Sequence, residues 1–302
     1  MGDTWLFDGS SWVAFQGAGP PRRSDSPAMA TLRGKAVLFG GAIRAEGGPI
    51  IGPDGGRFHT EIADDTWVFD GIVWIHVAAK PAPPGRDSAV MSTLDGKLVL
   101  FGGQDRNAAP PAFVDTWTFD LAGFATGWIK QTTSAWPVSP VSASMAPLQG
   151  KLVLFGGSSD APQGSTWIYD GASWAKLDVS GPPGRFGASM AALENRLVLF
   201  GGFDKSAFKN LDDTWTFDGT TWARVEGPGP SARTHAVMAP LNGKLVLFGG
   251  FDGRDQNDTW TFDGKRWAKH DVPGPPGRWC AAMTGIQPPV AASAGSARAA
   301  TR

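Results

Sequence analysis

Arginines that recur at one place in a repeated sequence have the clearest capacity for chemistry in this 302-residue chain. They stand just ahead of stretches of small residues, at Arg22-Arg23, Arg86, Arg185, Arg233 and Arg278. A guanidinium group offers parallel donors that match a carboxylate or a phosphate. A set of such groups predicts a binding site for an acidic ligand. The alternative is structural, because each arginine could pair with a loop aspartate such as Asp105, Asp204 or Asp252.

Residue types that support metal binding or catalysis are few and scattered. No two histidines stand at a spacing typical of metal ligands. The four histidines are His59, His76, His235 and His270. Acidic and imidazole side chains cluster only in one glycine-rich segment, at Glu46, Asp54, His59 and Glu61. That composition favours solvated side chains, so we predict no catalytic residues, no metal site and no cofactor.

A short sequence phrase that recurs six times predicts the elements that carry these residues. In residues 213–222 it reads Asp-Thr-Trp-Thr-Phe-Asp-Gly, with a second Trp three residues later. Large and small side chains alternate as in a half-buried strand, and Asp-Gly suits the positive φ of a tight hairpin turn. Each copy therefore predicts a strand, a turn and a strand. The copies are 3–12, 65–74, 115–128, 165–174, 213–222 and 258–267.

A second phrase, Leu-Val-Leu-Phe-Gly-Gly or a close variant, precedes five of the six hairpins. Its copies begin at Lys35, Lys97, Lys151, Arg196 and Lys244. A strand of small residues lies ahead of each copy, and one more such strand, 279–286, follows the last hairpin. One unit therefore contains four strands. The first tryptophans of successive hairpins are 45 to 62 residues apart, which indicates variable loops between constant strands.

Four short strands in a unit of about 50 residues are typical of propeller blades. The chain resembles the kelch-repeat β-propellers, a class that includes the central domain of galactose oxidase. Five diglycines, each followed by paired aromatic residues, carry the resemblance, which covers residues 3–286. It implies an all-β propeller of six blades with four antiparallel strands each. The closing blade would be shared by both ends of the chain.

The repeat also divides the chain. We predict a single propeller domain over residues 1–286, because repeated units share one continuous core. The closing blade combines 3–15 with 279–286 and lacks a Leu-Val-Leu-Phe-Gly-Gly strand, so we expect it to be incomplete. Residues 287–302 have small residues without alternation and predict a disordered tail. The five complete blades are expected at 23–75, 86–130, 138–177, 185–225 and 233–269.

Strand parity assigns the connections to two faces of the ring. Turns between strands 1 and 2 and between strands 3 and 4 are short and repetitive. The other connections vary in length and share the opposite face, called the loop face below, where binding is expected. The longest of them, 42–63, has 22 residues and the apolar tip Ile50-Ile51. An unspecific mobile loop and a contact arm both stay open as interpretations.

The resemblance implies that the arginines surround one mouth of the central channel, where similar arginines of kelch domains bind acidic peptide segments. We therefore predict a scaffold that binds a protein or an acidic peptide. The alternative is an enzyme or a lectin-like propeller that acts on or binds a sugar, or another small polar molecule, at the channel mouth; aromatic side chains would stack on a sugar there. An enzyme is the less favoured reading. The predicted ligand contacts are Arg86, Arg185, Arg233, Arg278, Phe203 and Phe251.

Other classes of function have less support. Some kelch-like propellers are copper oxidases with a cross-linked Tyr-Cys pair, but here the only such residues are Tyr169 and Cys280. Tyr169 fills a position that Phe occupies in the other hairpins, so we do not expect that chemistry. A net charge of −1 gives no field that attracts nucleic acid or an anionic membrane. No apolar run approaches the roughly 18 residues of a spanning helix, and no signal sequence is recognised, which suggests a cytoplasmic location by default.

Overall fold

The computed structural model of the protein describes residues 2–23, 26–43, 61–121, 127–138, 141–158 and 164–286. The tip of the long loop, with Glu46, Asp54 and His59, lies outside the described residues, and so does the predicted tail 287–302. Within the described ranges every regular element is a short strand. No helix that could cross a membrane occurs in them.

Five antiparallel sheets of four strands, called blades 1 to 5 in chain order, make up most of the structure. The chain first forms a separate hairpin of β1 (Trp5–Phe7) and β2 (Trp12–Ala14). Blade 1 then contains β3 (Ala28–Leu32), β4 (Lys35–Phe39), β7 (Thr66–Phe69) and β8 (Trp74–Val77). Strands β5 (Ala42–Ile43) and β6 (Glu61–Ile62) pair at the base of the long loop.

The remaining blades repeat this order. Blade 2 contains β9 (Val90–Leu94), β10 (Lys97–Phe101), β11 (Thr116–Phe119) and β12 (Ile129–Gln131). Blade 3 contains β13 (Ser144–Leu148), β14 (Lys151–Phe155), β15 (Thr166–Tyr169) and β16 (Trp174–Leu177). Blade 4 contains β17 (Ser189–Leu193), β18 (Arg196–Phe200), β21 (Thr214–Phe217) and β22 (Trp222–Val225), with the loop pair β19 (Phe203–Asp204) and β20 (Lys209–Asn210). Blade 5 contains β23 (Val237–Leu241), β24 (Lys244–Phe248), β25 (Thr259–Phe262) and β26 (Trp267–His270).

The second strand of each blade forms the centre of its core. In blade 2, the side chains of Leu98, Leu100 and Phe101 are fully buried, because β10 pairs with β9 on one side and β11 on the other. The diglycine that follows the second strand of a blade approaches the next blade closely. In blade 1, Gly41 N donates to Arg86 O at 2.8 Å. A Cβ atom on Gly40 would lie 2.5 Å from the same carbonyl oxygen, so only glycine permits this contact.

Tryptophan latches join neighbouring blades. The Trp at or just before the start of strand 4 donates its indole N–H to the Thr at or just before the start of strand 3 of the preceding sheet, as Trp222 does to Thr166 at 2.9 Å. The N-terminal hairpin takes part on both of its sides: Trp12 donates to Thr259 of blade 5, and Trp74 of blade 1 donates to Thr4. The hairpin therefore lies between blades 5 and 1. The other latches are Trp128 to Thr66, Trp174 to Thr116 and Trp267 to Thr214.

The first strands surround a narrow central channel. Its walls come from strand 1 of the five blades and from Ala282 and Met283, which follow the last blade. Segment 279–286 runs beside β3, where the hydroxyls of Thr284 and Thr31 are 2.6 Å apart. Each of the six segments contributes one methionine to the channel. They are Met29, Met91, Met145, Met190, Met238 and Met283.

The predicted all-β propeller is confirmed, and the predicted number of blades is corrected. The described residues form five four-stranded blades rather than six. Strands β1 and β2 make a sheet of two strands, and 279–286, expected to be the first strand of a closing blade, adopts no strand. The physical reason is the missing second strand. Without it, neither β1 nor 279–286 has a middle partner for cross-strand hydrogen bonds.

Candidate binding face

The predicted arginines are built into the scaffold. The side chain of Arg185 is fully buried, and its guanidinium group makes four hydrogen bonds within blade 4. Two of them go to Asp213 at 2.5 and 2.9 Å. The other two go to the carbonyls of Pro183 and Gly201, both at 3.0 Å. This arginine therefore connects the start of strand 1 with the end of strand 2 and the start of strand 3.

The same pairing recurs around the ring. In each case the partner is the aspartate ahead of strand 3, and that aspartate also accepts a hydrogen bond from the indole of the first Trp, at 2.7 or 2.8 Å. Blade 3 has Ser139-Pro140 in place of the arginine, and there Ser165 replaces the aspartate. The pairs are Arg23 with Asp65, Arg86 with Asp115, Arg185 with Asp213, Arg233 with Asp258 and Arg278 with Asp3.

The arginines thus pair with aspartates, as in the structural alternative considered above. The partners are the aspartates ahead of the third strands, whereas the alternative named aspartates of the loops. Asp204 accepts backbone N–H groups of Ser206 and Ala207 within its own loop. Asp252 accepts the hydroxyl of Ser231 and the side-chain amide of Gln256. These loop carboxylates shape the loops. Ligand binding by the arginines themselves stays a prediction, in which an acidic ligand would compete with an aspartate.

Asp115 and Asp213, two of the paired aspartates, carry lowered pKa values. Burial alone would raise the pKa of Asp213, but the hydrogen bonds and charge of Arg185 outweigh burial and leave the pKa below its ordinary value. Burial also raises the pKa of Asp115, but the hydrogen bond and the charge of Arg86 outweigh burial, so this pKa too lies below its ordinary value. These carboxylates are therefore ionised at neutral pH, and their ion pairs are formed.

Aromatic rings on the loop face form a continuous surface, called the aromatic patch below. Neighbouring ring centroids are 5.4 to 6.1 Å apart, within the usual range for aromatic contacts. The contacts run from blade 4 across blade 5 to the segment after it. In order, the rings are Phe208, Phe203, Phe186, His235, Trp279 and Phe251.

Part of the aromatic patch is open to solvent. Phe208 is 83% exposed, Trp279 48% and Phe251 37%. The pair β19–β20 holds Phe208 at the tip of its loop, and an antiparallel bridge joins Phe186 to Phe203 beneath it. Exposed cationic side chains flank the patch in sequence, at Lys205, Lys209 and Arg254. The patch can therefore offer flat apolar surface next to positive charge.

The strand-start residues under the patch are closely packed. Gly187 has a φ of 61° and Gly187 N donates to Ser142 O at 2.8 Å. A Cβ atom on Gly187 would lie 2.4 Å from the Thr234 hydroxyl oxygen and 2.7 Å from Cε1 of His235. Glycine at this position thus lets the His235 ring lie between Phe186 and Trp279.

The structure brings together only part of the predicted site. Phe203 and Phe251 both belong to the aromatic patch, whereas the predicted arginines lie in separate ion pairs. Sequence reasoning did not select Phe186, His235 or Trp279 as site residues. One signal was available, because Phe186 and Trp279 each directly follow one of the recurring arginines. In the part of the chain that the structure describes, no cluster of three His, Cys, Asp or Glu side chains could hold a metal ion.

Comparison with known proteins bears on the family. A model of the KLHDC2/KLHL20/DRC7 kelch-repeats domain matches residues 169–287, a stretch that holds blades 4 and 5 and the segment after them. The matched stretch carries kelch repeats, and the fold is a kelch-type β-propeller. This kelch protein is 32% identical to adagio-like protein 1 of Oryza sativa subsp. japonica over 184 residues, which are 57% of this chain and 26% of that protein.

A second adagio-like protein of the same plant, number 2, is 33% identical over 151 residues, which are 48% of this chain and 21% of that protein. The kelch chain thus spans about a quarter of the length of the curated relatives that it matches.

Proposed function

We propose that this kelch propeller is a protein-binding scaffold whose aromatic patch receives apolar and aromatic side chains of a partner. The observation that carries the proposal is the exposure of Phe208, Trp279 and Phe251 within one connected set of rings. Contiguous exposed apolar surface on a soluble domain is typical of an interaction site. Rigid aromatic side chains also supply much of the binding energy of protein interfaces.

The charge around the patch favours a partner segment that contains acidic residues. Lys209 and Arg254 are exposed, whereas the nearby Asp204 and Asp252 accept hydrogen bonds from neighbouring loop residues. Carboxylates of a partner would therefore meet cations at the rim while its apolar side chains cover the rings. Screening of such exposed charges makes the binding salt-dependent.

A peptide display library panned on the immobilised chain tests this function. We expect enriched peptides that combine aromatic and acidic residues. Replacing Phe208 and Phe251 together by Ala should weaken their binding by about 30-fold, since removal of a central aromatic anchor costs about 2 kcal/mol or more. Isothermal titration calorimetry measures the affinities.

The matched control replaces Ile72 and Val73 together by Ala. These residues are also exposed and apolar, at 61% and 47%, but lie in the turn between strands 3 and 4 of blade 1. The control should bind the selected peptides as the unchanged protein does. A panning that enriches nothing, or peptides that bind both double variants equally, would count against the patch. Binding on a glycan array without any peptide binding would favour the sugar-binding alternative.

We also infer that hairpin β1–β2 and segment 279–286 act together as an unfinished sixth blade. Arg278 and Asp3 make the ion pair that elsewhere lies within a single blade, with both N···O distances at 2.9 Å. Trp12 and Thr4 complete the circle of latches, and Met283 completes the set of channel methionines. The ion pair recurs in blades 1, 2, 4 and 5, and the latches and the channel methionines recur in all five blades, which supports the inference.

A further inference from the structure

A cavity of about 810 Å³ lies between hairpin β1–β2 and segment 279–286. Blade 1 forms one of its walls, with Leu38 and Phe69, and blade 5 forms another, with Phe248. Trp5 and Trp12 of the hairpin also line it. The cavity thus occupies the place between a first and a third strand, where each complete blade has its second strand.

The complete blades show which contacts that place provides. In blade 2 the second strand, β10, pairs with β9 along residues 97–101 and with β11 along residues 98–101. Leu98 lies opposite Phe119, and Leu100 lies opposite Trp117. The equivalents of Phe119 and Trp117 in β1 are Phe7 and Trp5, and β1 pairs only with β2 in its sheet of two strands. The inner edge of β1 therefore borders the cavity.

Residues of the N-terminal hairpin are also less buried than their equivalents in the complete blades. Phe217 and Phe262, which end the third strands of blades 4 and 5, are fully buried, whereas Phe7 at the same position is only half-buried. Thr4 is half-buried as well, although Thr116 and Thr259 at its position are buried. A strand placed in the cavity would cover β1 as β10 covers β11.

Arg278 indicates how the end of such a strand would be held. In blades 2, 4 and 5, Nη1 of the arginine donates to the carbonyl of the first glycine after the second strand, at 2.9 or 3.0 Å. Arg278 has the same bonds to Pro276 O and to Asp3 that the other arginines have to their counterparts. A glycine at the end of a bound strand would supply the corresponding carbonyl.

We propose that this cavity is an acceptor site for a β-strand donated by another protein, with the pattern Leu-Val-Leu-Phe-Gly-Gly or a close variant. The strand would add to the edge of β1, bury its apolar side chains between blades 1 and 5, and place its first glycine at Arg278. Addition of a strand to an open sheet edge is an established mode of peptide recognition. The proposal rests on the unfinished sixth blade and is independent of the aromatic patch.

Two other occupants fit the cavity less well. A second copy of the chain would have to withdraw a strand from one of its own blades, where residues such as Leu98 and Phe101 are fully buried and paired on both sides. Residues 287–302 contain one large aliphatic side chain, Val290, and no aromatic residue. They do not match the alternating large side chains of the five second strands.

Fluorescence anisotropy with a labelled peptide tests the acceptor site on the whole 302-residue chain. The peptide carries the sequence of residues 97–103, with flanking lysines for solubility. We expect saturable binding of one peptide per chain, and hydrogen exchange that becomes slower in residues 4–7 when the peptide is bound. A control peptide with Leu98→Ser and Leu100→Ser should bind at least 10-fold more weakly.

Protein variants locate the binding. Ala281→Trp fills the cavity from its 279–286 side and should weaken binding at least 10-fold, whereas Ala223→Trp, on the exposed outer strand of blade 4, should leave it unchanged. The double change Phe208→Ala with Phe251→Ala should also have no effect, which separates this site from the aromatic patch. Equal binding of both peptides, or no binding by the unchanged chain, would overturn the proposal.

Two further measurements decide between occupants. Light scattering that shows a dimer with residues 4–7 already protected would assign the cavity to a second copy and overturn the proposal. A chain ending at Ile286 that binds the peptide at least 10-fold more tightly would assign the cavity to residues 287–302, with the same consequence. A monomer whose affinity is unchanged by that truncation supports a donated strand.

Discussion

At the scale of single residues, the aspartate ahead of each third strand has two partners. In blade 4 the carboxylate of Asp213 accepts two hydrogen bonds from Arg185 and one from the indole of Trp215. The guanidinium is fully buried, so its charge is stable there only because this carboxylate and two backbone carbonyls surround it. The cluster therefore contributes to the packing of the blade only when both charged members are present.

The first prediction concerns this pair. Arg185→Ala should lower the free energy of unfolding by about 3 to 5 kcal/mol, because it leaves the carboxylate of Asp213 partly buried without its cation. The double change Arg185→Ser with Asp213→Ser removes both charges, which blade 3 also lacks, with Pro140 and Ser165 at the two positions, and should cost less than the single change. Urea denaturation followed by tryptophan fluorescence gives both values.

Arg224→Ala serves as the control for this experiment. Arg224 is 56% exposed and pairs with the exposed Glu226, and removal of such a surface pair should cost about 1 kcal/mol or less. If Arg185→Ala were no more destabilising than Arg224→Ala, the buried pair would not stabilise the blade.

The partners of the arginines could have been read from the repeat itself. Five units contain both the arginine and the aspartate of Asp-Thr-Trp, and the one unit that begins with Ser139-Pro140 instead has Ser165 at the aspartate position. Spacing alone did not decide between this aspartate and a loop aspartate such as Asp204, because both lie on the side of the ring that carries the arginines. Joint absence of the two residues in one blade was the discriminating observation.

At the scale of elements, the tryptophan latches connect sheets that share no backbone ladder. The indole N–H of Trp222 is buried between blades 3 and 4 and donates to Thr166, a residue that is itself only 2% exposed. Inside such a contact a lost acceptor leaves a buried donor unsatisfied. Each latch therefore aligns a fourth strand with the third strand of the preceding blade.

The second prediction tests one latch. Thr166→Val keeps the shape of the side chain but removes the acceptor, and should lower the free energy of unfolding by about 1 to 3 kcal/mol because the indole N–H of Trp222 loses its partner. Thermal and urea unfolding measure the change. Thr221→Val, in the exposed turn of blade 4, is the control and should stay within about 0.5 kcal/mol of the unchanged protein.

The elements with strong local patterns were predictable. The Leu-Val-Leu-Phe strands and the Trp hairpins lie where alternation and turn chemistry placed them, and Gly219 has the expected positive φ of 103°. Segment 279–286 has a composition like that of the other first strands, yet it forms no strand. Its pattern is local, whereas its hydrogen bonds depend on a second strand that the described chain does not provide there. The contacts among Phe186, His235 and Trp279 likewise depend on how blades meet.

At the scale of the whole molecule, the two ends of the described chain meet at one ion pair. Asp3 is 41% exposed, in contrast to the 13% to 15% of Asp115, Asp213 and Asp258 in complete blades. The hydrogen bond from Arg278 is the largest influence on the Asp3 carboxyl; burial opposes it, the hydrogen bond from Trp5 adds to it, and the pKa is lowered from 3.8 to about 2. Solvent weakens such an exposed pair, so closure by this contact is worth about 1 kcal/mol or less.

The third prediction follows from this difference. Residues 2–15 and 279–286 should exchange their amide hydrogens faster than 97–101, because they lack a shared middle strand. Asp3→Asn should accelerate exchange in both segments further and leave 97–101 unchanged, since the lost charge pair joins only those two segments. Asp8→Asn, in the turn of the same hairpin, is the control, because asparagine can still accept the backbone hydrogen bonds of that turn.

The pH dependence of the protein's stability provides an independent check on the ring closure. The pKa of Asp3 is lower in the folded protein than its ordinary value of 3.8, so its contribution to stability is complete above about pH 4 and is lost as the pH falls through about 2. The unchanged protein should therefore lose more stability than Asp3→Asn between pH 4 and pH 2, which thermal unfolding at each pH measures. Identical pH profiles for the two proteins, together with uniform protection of all strands, would show that the ring does not depend on the pair between Arg278 and Asp3.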